Sequence, residues 1–411
     1  LMKGEAPDTA YLDAAIIFDL MSEYNLGKKV VNTARIPTTY QTLDPLVYED
    51  AKPVGIMVTT QLVTNSAVYP AKTVNNDIAC IDGRVVRVQN STLPPKIYYQ
   101  YASEFVEWLV PHNKAGRGLP ITVQEVMHIQ NKPMQRARSL NASATMSIEA
   151  HNSLKAFIKI EPYNGTTDPR NITTCSADLT LSMSCYTLSE KEDILKYLKW
   201  FGPCKSPETI CIYLSQIANC DQLLLTDYSR FDGTVSEFLQ NAIVRASMMR
   251  WCHHSERPTY EKLFSKVFIR RATTNTGVRY DPGWGTRSGS PITSDGNTKI
   301  NAFISYCAYR KLGLNPKQAW DQLSNGSMKC GDDGIEQYLP GLETTMEIVC
   351  YDLGMKIKAD VVDANGPVSY CGRIFPNLKV SDTSFQDPHR TIPKLHLSAN
   401  SSIDVRQAAH N

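Results

Sequence analysis

The sequence predicts a globular fold that combines α-helices with β-strands. Its 411 residues are 42% hydrophobic and 20% charged, an ordinary globular composition that excludes disordered, collagen-like and coiled-coil chains. Short Val-rich runs at 54–58 and 84–88 are typical of extended segments, and one helix is expected near residues 9–24. Between residues 98 and 109, aromatic and apolar residues recur at the spacing of a helix face that packs on a core.

Charge and cysteine content narrow the function classes. Lys and Arg number 43 against 41 Asp and Glu, so a nucleic-acid surface would have to gather its cations locally. The 11 cysteines are an odd number without a Cys-x-x-Cys pair, which favours reduced thiols over a disulfide framework. The longest apolar runs, such as 14–18, are far shorter than the roughly 20 residues of a membrane span.

The first chemical signal is a pair of acids behind an apolar run. Residues 223–225 are all Leu and lead into Asp227, and Asp232 follows five residues later, before a helical stretch. The pattern predicts a buried strand that delivers a carboxylate at its exposed end. By itself, such a pair is more typical of a turn with two solvated acids.

The second signal is the segment Cys330-Gly331-Asp332-Asp333-Gly334. Adjacent acids between glycines predict a tight hairpin tip with two like charges pressed together, where a divalent cation would balance the repulsion. A Gly-Asp-Asp triplet is expected by chance on the order of 0.1 times in a chain of average composition. An ordinary acidic turn therefore remains an equal alternative for this segment alone.

A Gly- and Ser-rich loop between these segments opens a predicted helix. The loop contains Ser288 and Gly289, and Thr293, Asn297 and Asn301 follow at intervals of four residues. One polar stripe of the helix can therefore face a ligand. In isolation, a polar helix face in water is the better interpretation.

Taken together and in this order, the three segments resemble motifs A, B and C of the viral RNA-dependent RNA polymerases. Four further segments resemble other motifs of that family, namely 131–138 (motif G), 155–172 (motif F), 353–358 (motif D) and 370–374 (motif E). Residues 231–236 and 330–334 are most similar to the nodavirus replicase. The resemblance implies an α+β right-hand polymerase with fingers, a palm built on an antiparallel sheet and the start of a thumb.

The resemblance also divides the chain into regions. Residues 1–95 are expected to form an N-terminal extension that packs on the fingers, and 96–220 the fingers with motifs G and F. Residues 221–375 are expected to form the palm with an inserted fingers segment and motifs A to E. Residues 376–411 are few for the family's helical thumb and are expected to be its truncated start or a tail, in a chain cut from a larger replicase.

The activity implied by the resemblance is template-directed RNA synthesis by two-metal nucleotidyl transfer, in the replication of a viral RNA genome. Asp227, Asp332 and Asp333 are expected to hold two Mg²⁺ ions, for which Mn²⁺ can substitute, since Mg²⁺ prefers carboxylate, phosphate and water oxygens. Lys358, or less favourably Lys356, is expected to protonate the departing pyrophosphate as general acid.

Other residues are expected to bind the substrates. The resemblance assigns the nucleotide to Lys159, Arg170, Asp232, Ser288, Gly289, Thr293 and Asn297. Within this set, Lys159 and Arg170 would hold the triphosphate, with Glu161 orienting them through a salt bridge. The resemblance assigns contacts with RNA to Lys132, Arg136 and Arg373.

The expected partners are template and nascent RNA, nucleoside triphosphates and the rest of the replicase polypeptide. This segment is expected to make no membrane contact itself, the full replicase is a possible homo-oligomer, and its expected location is membrane-associated replication complexes of the host cytoplasm.

Two alternatives stay open, a reverse transcriptase and an inactive RNA-binding scaffold on the same fold. Reverse transcriptases place a bulky aromatic where this chain has Asp232, and every acid that the chemistry requires is present here. A calcium-binding module is disfavoured because the ligand spacing of an EF-hand is missing.

Overall fold

The computed structural model of the chain describes residues 40–41, 56–58, 60–61, 63, 67–130, 133–144, 146, 154–163, 165, 167–269 and 271–398. The helix expected near 9–24 and the predicted RNA contact Lys132 lie outside these residues.

Helices make up most of the regular structure. The α-helices of the described residues are α1 (Val74–Arg84), α2 (Ile97–Leu109), α3 (Val123–Ile129), α4 (Pro133–Ser143), α5 (Ala177–Asp193), α6 (Pro207–Ile217), α7 (Phe231–Thr234), α8 (Glu237–Leu239), α9 (Ala246–Trp251), α10 (Arg257–Val267), α11 (Thr293–Lys311), α12 (Pro316–Gly326), α13 (Leu342–Asp352) and α14 (Pro388–Thr391). A π-helical turn (Gln240–Arg245) joins α8 to α9, and 3₁₀ turns lie at Val86–Val88, Leu195–Tyr197 and Ile392–Lys394.

Strands form several small sheets. The strands are β1 (Tyr40–Gln41), β2 (Ile56–Met57), β3 (Tyr69–Pro70), β4 (Leu154–Ile158), β5 (Asn171–Thr174), β6 (Gln222–Tyr228), β7 (Ala272–Thr274), β8 (Arg279–Tyr280), β9 (Ser327–Cys330), β10 (Asp333–Gln337), β11 (Ile357–Asp363), β12 (Val368–Tyr370), β13 (Arg373–Phe375), β14 (Phe385–Gln386) and β15 (Leu397–Ser398). They pair in the orders β11–β6–β10–β9, β5–β4–β7–β8, β12–β13–β14, β1–β3 and β15–β2.

The central sheet, β11–β6–β10–β9, is antiparallel throughout. Most residues of β6, β9 and β10 are buried, whereas those of the edge strand β11 are half-buried or exposed. Successive residues of a strand point to opposite faces, so Leu224 enters the larger core and Leu223 the smaller one. Helices α11 and α13 pack on the side of the larger core, and α6 contacts β9 on the other. The sheet therefore holds the end of β6 in a fixed register with its neighbours.

A second, mixed sheet comes from two separated parts of the chain. β4 pairs antiparallel with β5 and parallel with β7, although more than a hundred residues lie between β4 and β7. The chain after β6 thus returns to pair with a strand that precedes β6 in the sequence.

The interpretation of 84–88 as extended is wrong. Arg84 ends helix α1, and Val86–Val88 is a 3₁₀ turn. The Val-rich composition favoured a strand, but Thr73 caps the helix by accepting a hydrogen bond from the Asn76 amide, and α1 packs on β4 and β5. Tertiary packing and the helix cap together override the local propensity for a strand.

The end of the described chain contains short elements. After Phe375, β14 extends the sheet of β12 and β13, helix α14 follows, and β15 pairs with β2. Among the described residues, no helix combines the length and apolar character needed to cross a bilayer.

Candidate active site

Three acids meet at one edge of the central sheet. Gly334 of β10 lies opposite Thr226 of β6, so the next positions of the two strands are Asp333 and Asp227. Adjacent strands lie about 4.8 Å apart, and Asp332 belongs to the two-residue turn that joins β9 to β10. Gly331 in that turn has φ +64°, a conformation that favours glycine. The strand register and the turn therefore place the three acidic residues at the same edge of the sheet.

The acids affect one another electrostatically. Desolvation by burial raises the pKa of Asp332, and the charges of Asp232 and Asp227 raise it further, while a backbone hydrogen bond and the charge of Arg170 lower it. Desolvation, followed by the charge of Asp332, raises the pKa of Asp333 to about 6. The site thus concentrates negative charge that the surrounding protein compensates only in part.

Asp232 is held by the loop and the helix of motif B. Ser288 Oγ donates a hydrogen bond to one oxygen of the Asp232 carboxylate, and Asn297 Nδ2 donates to the other at 2.6 Å. The Oδ1 atom of Asn297 accepts a bond from Thr286 Oγ1 at 2.9 Å, which fixes the orientation of the amide. Gln240 extends this chain by donating to Thr286 Oγ1 at 3.3 Å. Sequence reasoning missed Thr286 and Gln240, and no signal beyond their place near motifs B and A singles them out.

Thr293 and Gly289 shape the motif B loop. The Thr293 hydroxyl donates to the carbonyl oxygens of Arg287 and Ser290, at 2.7 and 2.8 Å, and so holds the loop against the start of α11. A Cβ added at Gly289 would lie 2.8 Å from the Cβ of Thr174, which shows how closely the loop approaches strand β5.

The two predicted triphosphate ligands flank one glutamate. Lys159 Nζ lies 2.7 Å from Glu161 Oε2, and Arg170 Nη1 lies 3.4 Å from Glu161 Oε1. Both cationic side chains are more than one third exposed, so a ligand can reach them. The charge of Arg170 also lowers the pKa of Asp332.

An ion pair that sequence reasoning missed joins motif A to motif F. Arg230 Nη2 lies 2.7 Å from Asp168 Oδ2, and Arg230 also donates to the carbonyl oxygen of Gly83 in α1. The Asp168 carbonyl accepts bonds from Arg84 at 2.9 and 3.1 Å. Arg230 has φ +55°, an uncommon conformation for a residue with a side chain and one that concentrates at functional sites.

The remaining predicted site residues occupy different places. Lys358 of β11 lies opposite Asp227 of β6 in the strand register. Its Nζ atom lies 2.5 Å from Asp360 Oδ2. This contact raises the pKa of Lys358, and the charge of Asp227 adds to the effect. Arg373 donates to Ser384 through two nitrogens, at 2.6 and 2.8 Å. Arg136, in α4, donates to the carbonyl oxygen of residue 130 at 2.8 and 3.1 Å.

The interpretation of Thr293, Asn297 and Asn301 as a polar helix face in water is wrong. Every residue of α11 from Asp295 to Tyr309 is buried, and Asn301 is fully enclosed. Its amide bonds the turn between β9 and β10, because α11 packs against β9. A spacing of four aligned these residues on one helix but did not determine what lies opposite each of them.

Comparisons with known proteins agree with this geometry. The family model for viral RNA-dependent RNA polymerase matches residues 210–377, which contain the central sheet and α11. The chain is 46% identical over 411 residues to an RNA-directed RNA polymerase of Pariacoto virus and 36% identical over 419 residues to one of Pieris rapae virus. Both alignments cover 100% of this chain, but 42% and 41% of the two relatives, so the chain spans less than half the length of these curated proteins.

A solved structure supports the fold independently. The insertion-loop deletion mutant of the RNA-dependent RNA polymerase of a human picorbirnavirus is similar with a TM-score of 0.61, over 87% of this chain and 72% of that one. The sequence identity of 14% makes this a likeness of fold alone. The chain therefore has the α+β right-hand fold of a viral RNA-dependent RNA polymerase, and in sequence it is a relative of the nodavirus RNA-directed RNA polymerases.

Proposed function

We propose that this chain carries the catalytic centre of RNA-directed RNA synthesis, adding nucleotides to the 3′ end of a nascent strand during replication of a viral RNA genome. One observation carries the proposal, the strand register that brings Asp227 next to Asp333 with Asp332 in the adjoining turn. The relatives named RNA-directed RNA polymerase support the same activity.

Polymerases of this family use divalent metal ions, and we propose that Asp227, Asp332 and Asp333 hold two Mg²⁺ ions, or Mn²⁺ in their place. The raised pKa values of Asp332 and Asp333 support this, since a bound cation would offset the crowded charge. Within the described ranges, no three Asp, Glu, His or Cys side chains converge to enclose an ion by themselves. Mg²⁺ in such sites completes its coordination with substrate phosphates and water. When bound, the two ions stabilise the attacking and leaving oxygens of an in-line displacement.

Lys159 and Arg170 are the proposed ligands of the triphosphate. Arg170 offers a planar fork of donors and Lys159 a point charge, both of which suit phosphate oxygens. Their shared partner Glu161 would keep the two side chains near the cleft before the nucleotide arrives. Binding would then exchange one carboxylate for several phosphate oxygens.

Asp232, Asn297 and Ser288 are the proposed readers of the ribose hydroxyls. Their mutual hydrogen bonds preorganise donors and acceptors next to the acids. A site built to bond a hydroxyl rejects the analogue that lacks it, because polar groups are then left unpaired. This favours ribonucleotides over deoxyribonucleotides, and hence RNA synthesis over reverse transcription.

Lys358 is the proposed general acid for the departing pyrophosphate, and its place opposite Asp227 supports this role. A lysine amine is protonated at neutral pH and therefore has a proton to donate. Arg136, Arg373 and Lys132 are proposed contacts with RNA. The wider partners are proposed as template and product RNA, nucleoside triphosphates, the rest of a larger replicase and a possible second copy, in membrane-associated replication complexes of the host cytoplasm.

Primer extension on an RNA template tests the proposal. With Mg²⁺ present, the chain is expected to extend the primer slowly with ribonucleotides, and Asp332→Ala is expected to abolish extension. Asp382→Ala, at an exposed acid outside the site, is the matched control and is expected to extend like the parent.

Other outcomes identify the alternatives. Extension that survives Asp332→Ala would contradict the catalytic assignment. Equal use of deoxyribonucleotides would indicate a reverse transcriptase. RNA binding without extension, unchanged by Asp332→Ala or by removal of Mg²⁺, would indicate an inactive scaffold.

A further inference from the structure

Asn301 connects helix α11 to the hairpin that carries two of the acids. Its Nδ2 atom lies 3.1 Å from the carbonyl oxygens of Gly331, Asp332 and Asp333. One amide nitrogen, with two hydrogens, thus lies within hydrogen-bonding distance of three successive carbonyl oxygens of the turn. The contact fixes the backbone from which both acidic side chains project.

The other end of the same amide contacts motif A. Tyr228 Oη donates a hydrogen bond to Asn301 Oδ1 at 3.2 Å, and Tyr228 directly follows Asp227 in β6. Tyr228 is 5% exposed, and its ring packs edge-on against Phe231, with the ring centroids 4.9 Å apart. The hydroxyl therefore has a fixed position.

A single side chain thus links the residue next to Asp227 with the backbone of Asp332 and Asp333. The link needs an amide, since Oδ1 accepts from the tyrosine while Nδ2 donates to the carbonyls. An aspartate of the same shape would place an oxygen against three carbonyl oxygens. The contacts of residue 301 therefore require an amide, and a side chain of the same size without an amide does not satisfy them.

We propose that Asn301 is a positioning residue that sets the separation of Asp227 from Asp332 and Asp333, and through it the affinity of the site for divalent cations. The inference rests on the proposed function, because it concerns the same acids. Groups that orient metal ligands without touching the ion commonly change metal affinity about 10- to 100-fold when they are replaced.

A neighbouring contact supports a role for the whole face of α11. The amide of Gly331 donates to Thr298 Oγ1 at 2.8 Å, so the turn is bonded to the helix through both its donors and its carbonyls. Thr298 lies three residues before Asn301, on the same side of the helix. The hairpin tip is therefore bonded to α11 at two points.

A matched variant distinguishes the proposed positioning role of Asn301 from a purely structural role. Asn76, in α1, is also fully buried, and its Nδ2 atom donates to the carbonyl oxygen of Ala71 at 2.8 Å. Asn76→Asp therefore introduces the same chemical change next to a backbone carbonyl of another helix. Its effect on thermal stability shows what a buried aspartate costs without disturbing the hairpin.

The experiment is a Mn²⁺ titration of the 411-residue chain, followed by electron paramagnetic resonance of the free ion. Asn301→Asp is expected to weaken Mn²⁺ binding about 10- to 100-fold. Tyr228→Phe, which removes one hydrogen bond and keeps the ring, is expected to weaken it about threefold. Asn76→Asp is expected to bind Mn²⁺ like the parent while losing thermal stability.

The outcomes distinguish this inference from the proposed function. If Asp332→Ala leaves Mn²⁺ binding intact, the metal site itself is wrong. If Asp332→Ala abolishes binding while Asn301→Asp and Tyr228→Phe bind like the parent, the positioning role is wrong and the metal site stands. Should Asn301→Asp fail to fold, as circular dichroism would reveal, the affinity of Tyr228→Phe decides.

Discussion

Lys329 and Glu336 form an ion pair at 2.7 Å in which both side chains are fully buried, directly beneath the turn that carries Asp332. The pair joins β9 to β10 on one face of the hairpin. Tyr309 and Ser305 of α11 also donate to the Glu336 carboxylate, the latter at 3.1 Å. A buried charge keeps its place only when it is paired and hydrogen-bonded, so this network fixes the base of the hairpin.

Glu336→Gln is expected to destabilise the chain by about 3–5 kcal/mol, because it leaves the Lys329 charge buried without its partner. The double variant Lys329→Met/Glu336→Leu removes both charges and is expected to cost less than Glu336→Gln alone. Urea denaturation followed by circular dichroism measures both free energies of unfolding. A loss below 1 kcal/mol for Glu336→Gln would show that the pair contributes little to the fold.

Asp333→Asn is expected to stabilise the metal-free chain at neutral pH by about 1–2 kcal/mol, after allowance for solvent screening. Desolvation and the charge of Asp332 raise the pKa of Asp333 to about 6, above the roughly 3.9 of an unfolded Asp. The folded chain therefore binds the proton more tightly, and ionisation costs stability as the pH rises from about 4 to 6. The gain of Asp333→Asn should be complete above pH 6 and vanish near pH 4.

Thermal unfolding in EDTA across this pH range checks the expectation. Asp382→Asn, at an exposed acid, is the control for the loss of one negative charge. A stabilisation by Asp333→Asn that persists unchanged at pH 4 would contradict the electrostatic explanation.

Arg230→Gly is expected to be more stable than Arg230→Ala by about 1 kcal/mol. Both variants lose the ion pair with Asp168, but glycine adopts φ +55° without the steric cost that alanine bears. Differential scanning calorimetry of the two variants measures the difference. Equal stabilities would mean that the backbone at residue 230 relaxes out of the left-handed region when the guanidinium is removed.

Asn297→Ala is expected to lower the preference for ribonucleotides over deoxyribonucleotides by at least about tenfold, because the Asp232 carboxylate loses one of its two donors. Thr293→Ser keeps the hydroxyl that holds the loop and is the control expected to retain the preference. The ratio of kcat/KM for matched ribo- and deoxyribonucleotides is the measurement. If the ratio is unchanged in Asn297→Ala, the Asn297 amide takes no part in sugar selection.

The sequence predicted the parts of the site that depend on local pattern. The leucines before Asp227 specify a buried strand with an acid at its end, and the glycines around Asp332 specify a tight turn. The predicted partnership of Asp232 with Ser288 and Asn297 corresponds to hydrogen bonds in the structure, although its role with a nucleotide stays a prediction.

Other relationships depend on which distant elements meet, and no local pattern encodes that. Asn301 shares a helix spacing with Asn297, yet Asn301 bonds the hairpin turn and Asn297 bonds Asp232, because α11 is enclosed by different neighbours. The left-handed backbone of Arg230 becomes understandable only beside Asp168 and Gly83, far away in sequence. Helix α1 was missed because its capping residue outweighs the Val-rich run that follows it.

The π-helical turn Gln240–Arg245 has a consequence for changes in chain length. A π turn is equivalent to one extra residue within an α-helix, while each residue of a regular helix rotates its face by about 100°. Deleting one residue here can close the turn into regular helix and leave Phe238 and Met248 in the core on either side. The same deletion within α11 would rotate Asn301 away from the hairpin, so the two helices should differ sharply in their tolerance of single-residue deletions.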